Sequence, residues 1–110
     1  HNMNAQPLPK NIVSLAKSKG IEKFTLQFSG GSDEGYLNVD TDNYDREFNS
    51  LVEEWAWNVY NYSGAGEGQD YGDDITYDLK NNTVTTQEWF TQRTYDKPFD
   101  AKLELAEDEA

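Results

Sequence analysis

Phe24, Leu26 and Phe28 alternate with Lys23, Thr25 and Gln27, and the alternation returns at Leu37 and Val39 after the glycine-rich, acidic run Ser29 to Gly35. A period of two marks a strand with one buried face, so these runs predict a hairpin with a long, flexible tip. From Glu47 to about Tyr62 the period lengthens: Phe48, Leu51, Val52, Trp55, Val59 and Tyr62 share one face of a helix. Upstream, Leu8-Pro9 can open a helix, Ile12, Leu15 and Ala16 share a face, and Gly20 closes it. Residues 63–72 carry four glycines and read as a loop. Ile75, Tyr77 and Leu79 then alternate toward Asn81-Asn82, a pair that accepts positive φ and suits a tight turn. The return strand, about Thr83 to Tyr95, loses alternation at Trp89-Phe90, which predicts a bulge there or a strand buried on both faces. Helix, two strands, helix, two strands predict an α+β fold: a four-stranded, largely antiparallel sheet with both helices on one face.

A chain of 110 residues makes one domain. His1-Asn2 reads as a cloning remnant ahead of Met3, giving a single acidic domain over 3–110 whose last stretch, about 98–110, is a mobile acidic tail. Leu, Ile, Val and Phe total 21 residues, about 19%, close to the composition of disorder, but three Trp and seven Tyr restore a core. There is no cysteine, and the only histidine is His1, so Ser-His-Asp and Cys-His catalysis and thiolate or imidazole zinc sites are excluded from the native chain. No apolar run reaches the length of a membrane span and no signal-peptide core is present, so the expected compartment is the cytoplasm.

Charge changes the picture most. Between Asp33 and Asp78 lie thirteen acidic residues and one basic residue, Arg46, giving 46 residues a net charge of −12, equal to that of the whole chain. Residues 1–25 carry +3, with Lys10, Lys17 and Lys19 on the first helix, so the remainder carries −15. Such a field repels nucleic acid and anionic membrane and draws in basic partners. The run Asp40 to Asp45 invites a calcium reading, yet a loop begun at Asn38 puts Asn49 where the bidentate Glu is needed, and one begun at Asp40 puts Leu51 there. A solvated turn that caps the next helix with Asp45 fits better. Gly64 to Gly68 follows a helix amid Glu67, Asp70, Asp73 and Asp74, where phosphate would be repelled. Paired carboxylates with Trp89 and tyrosines could line a sugar cleft, but a domain this small rarely encloses one. No metal or cofactor is expected, and no enzymatic activity.

Trp57 is more discriminating: it falls about 180° from Phe48 on the central helix, with Glu53 and Glu54 one turn before it. Either it faces water as an interface anchor, or a tail or the glycine-rich loop folds over it and buries it. Asp40 and Asp42, if extended, project to one side about 6.7 Å apart, and Glu47 and Glu54 share a helical stripe.

In size, acidity, lack of catalytic side chains and element order, the chain resembles the small acidic inhibitors that phages and mobile elements direct against host nucleic-acid enzymes, including anti-restriction and anti-CRISPR proteins. The likeness implies a nucleic-acid mimic that occupies the basic groove of a nuclease or nucleic-acid-guided defence complex; it transfers no individual residue. The charge pattern proposes a contact set of Asp33, Glu34, Asp40, Asp42, Asp45, Glu53, Glu54, Trp57, Glu67, Asp70, Asp73 and Asp74. The expected partner is a basic protein, with no direct nucleic acid and no membrane. Alternatives are an immunity or antitoxin-like protein neutralising one basic toxin, and a binding module or homo-oligomer in which the basic first helix meets another copy's acidic block.

Overall fold

The computed structural model describes residues 4–30, 35–62, 71–91 and 94–104. In chain order the elements are α1 (Lys10–Lys19), β1 (Lys23–Gly30), β2 (Gly35–Thr41), α2 (Arg46–Tyr60), β3 (Tyr71–Asp78) and β4 (Thr83–Phe90). The four strands form one antiparallel sheet in the order β2-β1-β3-β4, and the fold is α+β as the element order predicts.

Side-chain phase places the layers. Phe24, Leu26 and Phe28 of β1 stand opposite Thr41, Val39 and Leu37 of β2 and opposite Tyr77, Ile75 and Asp73 of β3, so all nine project from one face. That face meets the helices: Ile12 and Ala16 from α1, Phe48, Val52 and Ala56 from α2, and the strand residues Phe24, Leu26, Val39, Ile75 and Tyr77 form the buried core. Phe24 joins the layers, its ring 5.2 Å edge-on from Phe48 and 5.3 Å stacked on Tyr77.

Caps fix where the helices start and stop. Gly20 ends α1 at φ 72°, a left-handed conformation that Gly adopts without a Cβ penalty, and Ile21 N–H returns to Ala16 O at 2.8 Å. Asp45 starts α2 by accepting from Phe48 N–H at 2.9 Å. Lys19 Nζ lies 3.1 Å from Asp45 and 3.3 Å from Glu47, tying the end of α1 to the start of α2. At the other end of α2, Tyr77 hydroxyl donates to Gln6 O (2.7 Å), which leaves Tyr60 hydroxyl to donate to Tyr77 (2.6 Å) while accepting from Gln6 N–H (2.9 Å). This closed ring of bonds pins the segment before α1 against β3.

Three expectations are corrected. The β1–β2 ladder runs on to Gly30 opposite Gly35, so only 31–34 are left for the tip, and those lie outside the described residues. The loop after α2 stops short of Tyr71 and Gly72, which pair in β3 opposite Gly30 and Ser29; residues 63–70 are outside the described set. Finally, β4 has no bulge and ends at Phe90, in continuous register from Asp78 opposite Thr83 to Tyr71 opposite Phe90. Its alternation is weak because, as the outer strand beyond the helices, it is exposed on both faces over most of its length. The β3–β4 turn spans 79–82, with Asn82 at φ 56° and the Asp78 carboxylate accepting from Lys80 N–H and Asn81 N–H. Beyond Pro98, the described residues 99–104 are exposed and have no regular secondary structure.

Candidate partner-binding surface

Folding separates the acidic block into carboxylates that serve the fold and carboxylates that face solvent. Asp45 belongs to the first group: Phe48 N–H, then Lys19, hold its carboxyl below the usual range, and its bonds with Asp45 and Glu47 raise Lys19. Asp78 is likewise held down, chiefly by the backbone and side chain of Asn81. Glu47 is engaged by Lys19, which takes it out of the acidic stripe shared with Glu54.

Asp73 and Asp74 go to opposite faces of the sheet. Asp73 is in phase with Ile75 and Tyr77 and projects toward the helix side, opposite Phe28 on one neighbour and Glu88 on the other, only 4% exposed. Burial, then the Glu88 charge, pushes its carboxyl up to about 6, and its Oδ2 is buried with no hydrogen-bond partner among the described residues. Tyr62 is raised in turn by burial and by the Asp73 charge. Such a residue is not available to a partner, so Asp73 leaves the proposed contact set. Asp74 projects from the face without helices; burial raises its pKa, opposed by a hydrogen bond from the Trp89 indole N–H.

Asp40, Asp42, Glu53 and Glu54 are exposed and form no ion pair with any described residue. Asp40 is in β2, whereas Asp42 lies past the strand end in a bend, so the two are not neighbours along an extended strand. Glu53 and Glu54 are on the outer side of α2, away from Val52 and Ala56. The two pairs lie on adjacent elements, because Asn49 of α2 donates to Val39 O of β2 at 3.3 Å. Trp57 is 38% exposed, and its ring meets the buried Phe28 edge-on at 5.7 Å; the glycine-rich loop expected as an alternative cover lies outside the described residues. The indole is a surface aromatic seated on the core. Asp33, Glu34, Glu67 and Asp70 lie outside the described residues.

The charge pattern overlooked Tyr36 and Trp89, both on the open face of the sheet. A signal existed for Trp89: it is in phase with Thr85 and Gln87, opposite in phase to Val84 and Phe90. At the far end of the molecule an open, polar cavity of about 290 Å³ mixes Lys23 and Lys80 with Glu22, Asp42 and Asp78. Those carboxylates and ammonium groups can exchange ionic contacts with a partner. No described helix is long and apolar enough to cross a membrane. Comparison with protein-family models, with curated proteins and with solved structures finds no match.

Proposed function

We propose that this chain is a non-enzymatic, acidic protein-binding inhibitor that occupies the basic nucleic-acid groove of a nuclease or a nucleic-acid-guided defence complex. The observation that supports this reading is the division of labour among the carboxylates. Asp45, Glu47 and Asp78 are engaged within the fold, while Asp40, Asp42, Glu53 and Glu54 stand exposed on or beside neighbouring elements and form no ion pair with any described residue. Exposed charges of one sign steer a basic partner and set its orientation, and an aromatic residue seated on a rigid core, as Trp57 is, supplies the contact that holds it. The homo-oligomer alternative loses one of its lysines, since Lys19 already binds Asp45 and Glu47 of the same molecule.

The test is capture from lysate of the source cell on immobilised protein, eluted by a salt gradient, beside a variant carrying Asp40→Lys, Asp42→Lys, Glu53→Lys and Glu54→Lys. The expected result is one nucleic-acid-processing protein or complex that elutes at moderate salt and is missing from the variant, and whose nucleic-acid binding the chain blocks. Identical sets of proteins from both columns would overturn the reading.

A further inference from the structure

The open face of the sheet carries a feature unlike the rest of it. Across the four strands one row reads Tyr36, Ser29, Gly72, Trp89, and the next reads Asn38, Gln27, Asp74, Gln87. The first row has small residues at its centre and an aromatic at each end. A Cβ on Gly72 would fall 2.2 Å from Trp89 Cε2 and 2.3 Å from both Cζ2 and Nε1. Three ring atoms at nearly one distance mean that the indole lies across the glycine and does not point at it. One indole face therefore packs on the sheet and the other faces outward, with the ring N–H held by the Asp74 carboxylate. Between Trp89 and Tyr36, which is 57% exposed, runs a trough of about 340 Å³. Ser29 and Gln27 floor it, and Asn38 and Asp74 stand at its sides, Asn38 Nδ2 donating to Gln27 Oε1 at 2.7 Å.

We propose that this trough seats an arginine side chain of a protein partner, its guanidinium stacked on the outward face of Trp89 and hydrogen-bonded to Asp74. The choice of ligand follows from charge and shape. Among the described strand residues, the charges on this face are Asp40, Asp74 and Asp78 against Lys23, and Lys23 stands opposite Asp78 at the end of the sheet away from the trough. A cation is favoured there over a neutral or anionic group. A guanidinium is flat, weakly hydrated and able to stack on an aromatic face while its N–H groups meet a carboxylate; an ammonium offers only a point charge. The indole N–H occupies part of the Asp74 carboxylate and fixes its orientation, leaving the remaining lone pairs for the ligand. The side-chain amides of Gln27 and Asn38 add carbonyl acceptors beside it. This inference rests on the reading of the partner as a basic protein, and names the residue type that the open face would take from it.

The measurement is a titration of the ¹⁵N-labelled full chain with arginine blocked at both ends, following the Trp89 indole N–H resonance, assigned by its absence in Trp89→Phe. The same titration is run with blocked citrulline, which keeps the shape and loses the charge, and with a neutral glucose oligosaccharide. Blocked arginine should shift the Trp89 resonance saturably and citrulline should bind about tenfold more weakly. Asp74→Asn, whose amide oxygen still accepts from the indole, should lose about the same factor. A Trp89 resonance unmoved by arginine, moved equally by citrulline, or moved by the oligosaccharide alone would overturn the proposal. The two readings fail separately. Arginine binding at Trp89 with no partner lost from the four-lysine variant retains the seat and sinks the inhibitor; capture that depends on the four carboxylates with an unmoved Trp89 does the reverse.

Discussion

The two faces of the sheet are made by the same four strands and obey opposite rules. The helix-covered face is apolar, with Phe24, Leu26, Phe28 and Ile75 sealed from water, and holds one buried carboxylate, Asp73, with the exposed Glu88 opposite it on the outer strand. The open face is polar, with Thr25 and Thr76 hydroxyls 2.9 Å apart and Asn38 bonded to Gln27, and holds two aromatics, Tyr36 and Trp89. Each face thus has its exception, and the exceptions share one end of the sheet: Asp73 is flanked in β3 by Gly72, under Trp89, and by Asp74, bonded to Trp89. A buried carboxylate works against folding, and a half-buried indole on a glycine, on the face away from the helices, adds little to a core. Departures from pattern that cost stability are where function is to be sought.

The largest effect expected on this comparison comes from the covered face. Phe28 is fully buried and contacts Trp57, Tyr60 and Tyr62, so Phe28→Ala should cost about 3–5 kcal/mol, a large share of the stability of a domain this size. Urea unfolding would measure it; a loss under 1 kcal/mol would mean that the aromatic cluster is not part of the cooperative core.

Next comes Gly72→Ala. The added methyl overlaps the indole, and Trp89, at the surface, has room to leave. The expected cost is about 1–3 kcal/mol, accompanied by a Trp89 resonance shifted toward that of a solvated indole. If that resonance stayed in place, the ring would not be resting on the glycine.

The smallest effect tests Asp73, and its sign runs opposite to that of an ordinary paired carboxylate. In the folded chain it titrates near 6, against 3.8 ordinarily. Between those values the folded state keeps a proton that the unfolded state has lost, so stability falls as pH rises from about 4 to 6 and stays reduced above. That shift corresponds to about 3 kcal/mol. Asp73→Asn removes the titration and, its buried amide still lacking a full set of partners, should recover about 1 kcal/mol at pH 7, with the slope between pH 4 and 6 flattened in thermal melts. Asp45 and Asp78, whose carboxyls are held down, contribute stability that disappears as pH drops below their ordinary range, and the variant leaves that acid limb untouched. An unchanged profile between 4 and 6 would show that Asp73 reaches water.

The elements and their order were legible because each leaves a local record. Period two at Phe24, Leu26 and Phe28, the longer period through Phe48, Val52 and Trp55, the closing Gly20 and the capping Asp45 act within a few residues of themselves. Asp73 was legible in part: the alternation of Ile75 and Tyr77, carried two residues back, points it at the helices, but its glycine-rich surroundings made it look like loop. Trp89 looked like a fault in a strand because its partner, Gly72, lies in the neighbouring strand.

From the sequence alone came the α+β class, an apolar face on each of the first three strands, the helix caps and a strongly acidic middle of the chain, all set by short-range periodicity, backbone preference and net charge. Only the tertiary structure decided the strand order β2-β1-β3-β4, the engagement of Asp45 and Glu47 by Lys19, the burial of Asp73 and the placing of Trp89 on Gly72. Each of these depends on which distant segment lies alongside, and a charge or a ring acquires its energy, and its use, from the neighbour that desolvates, pairs or supports it.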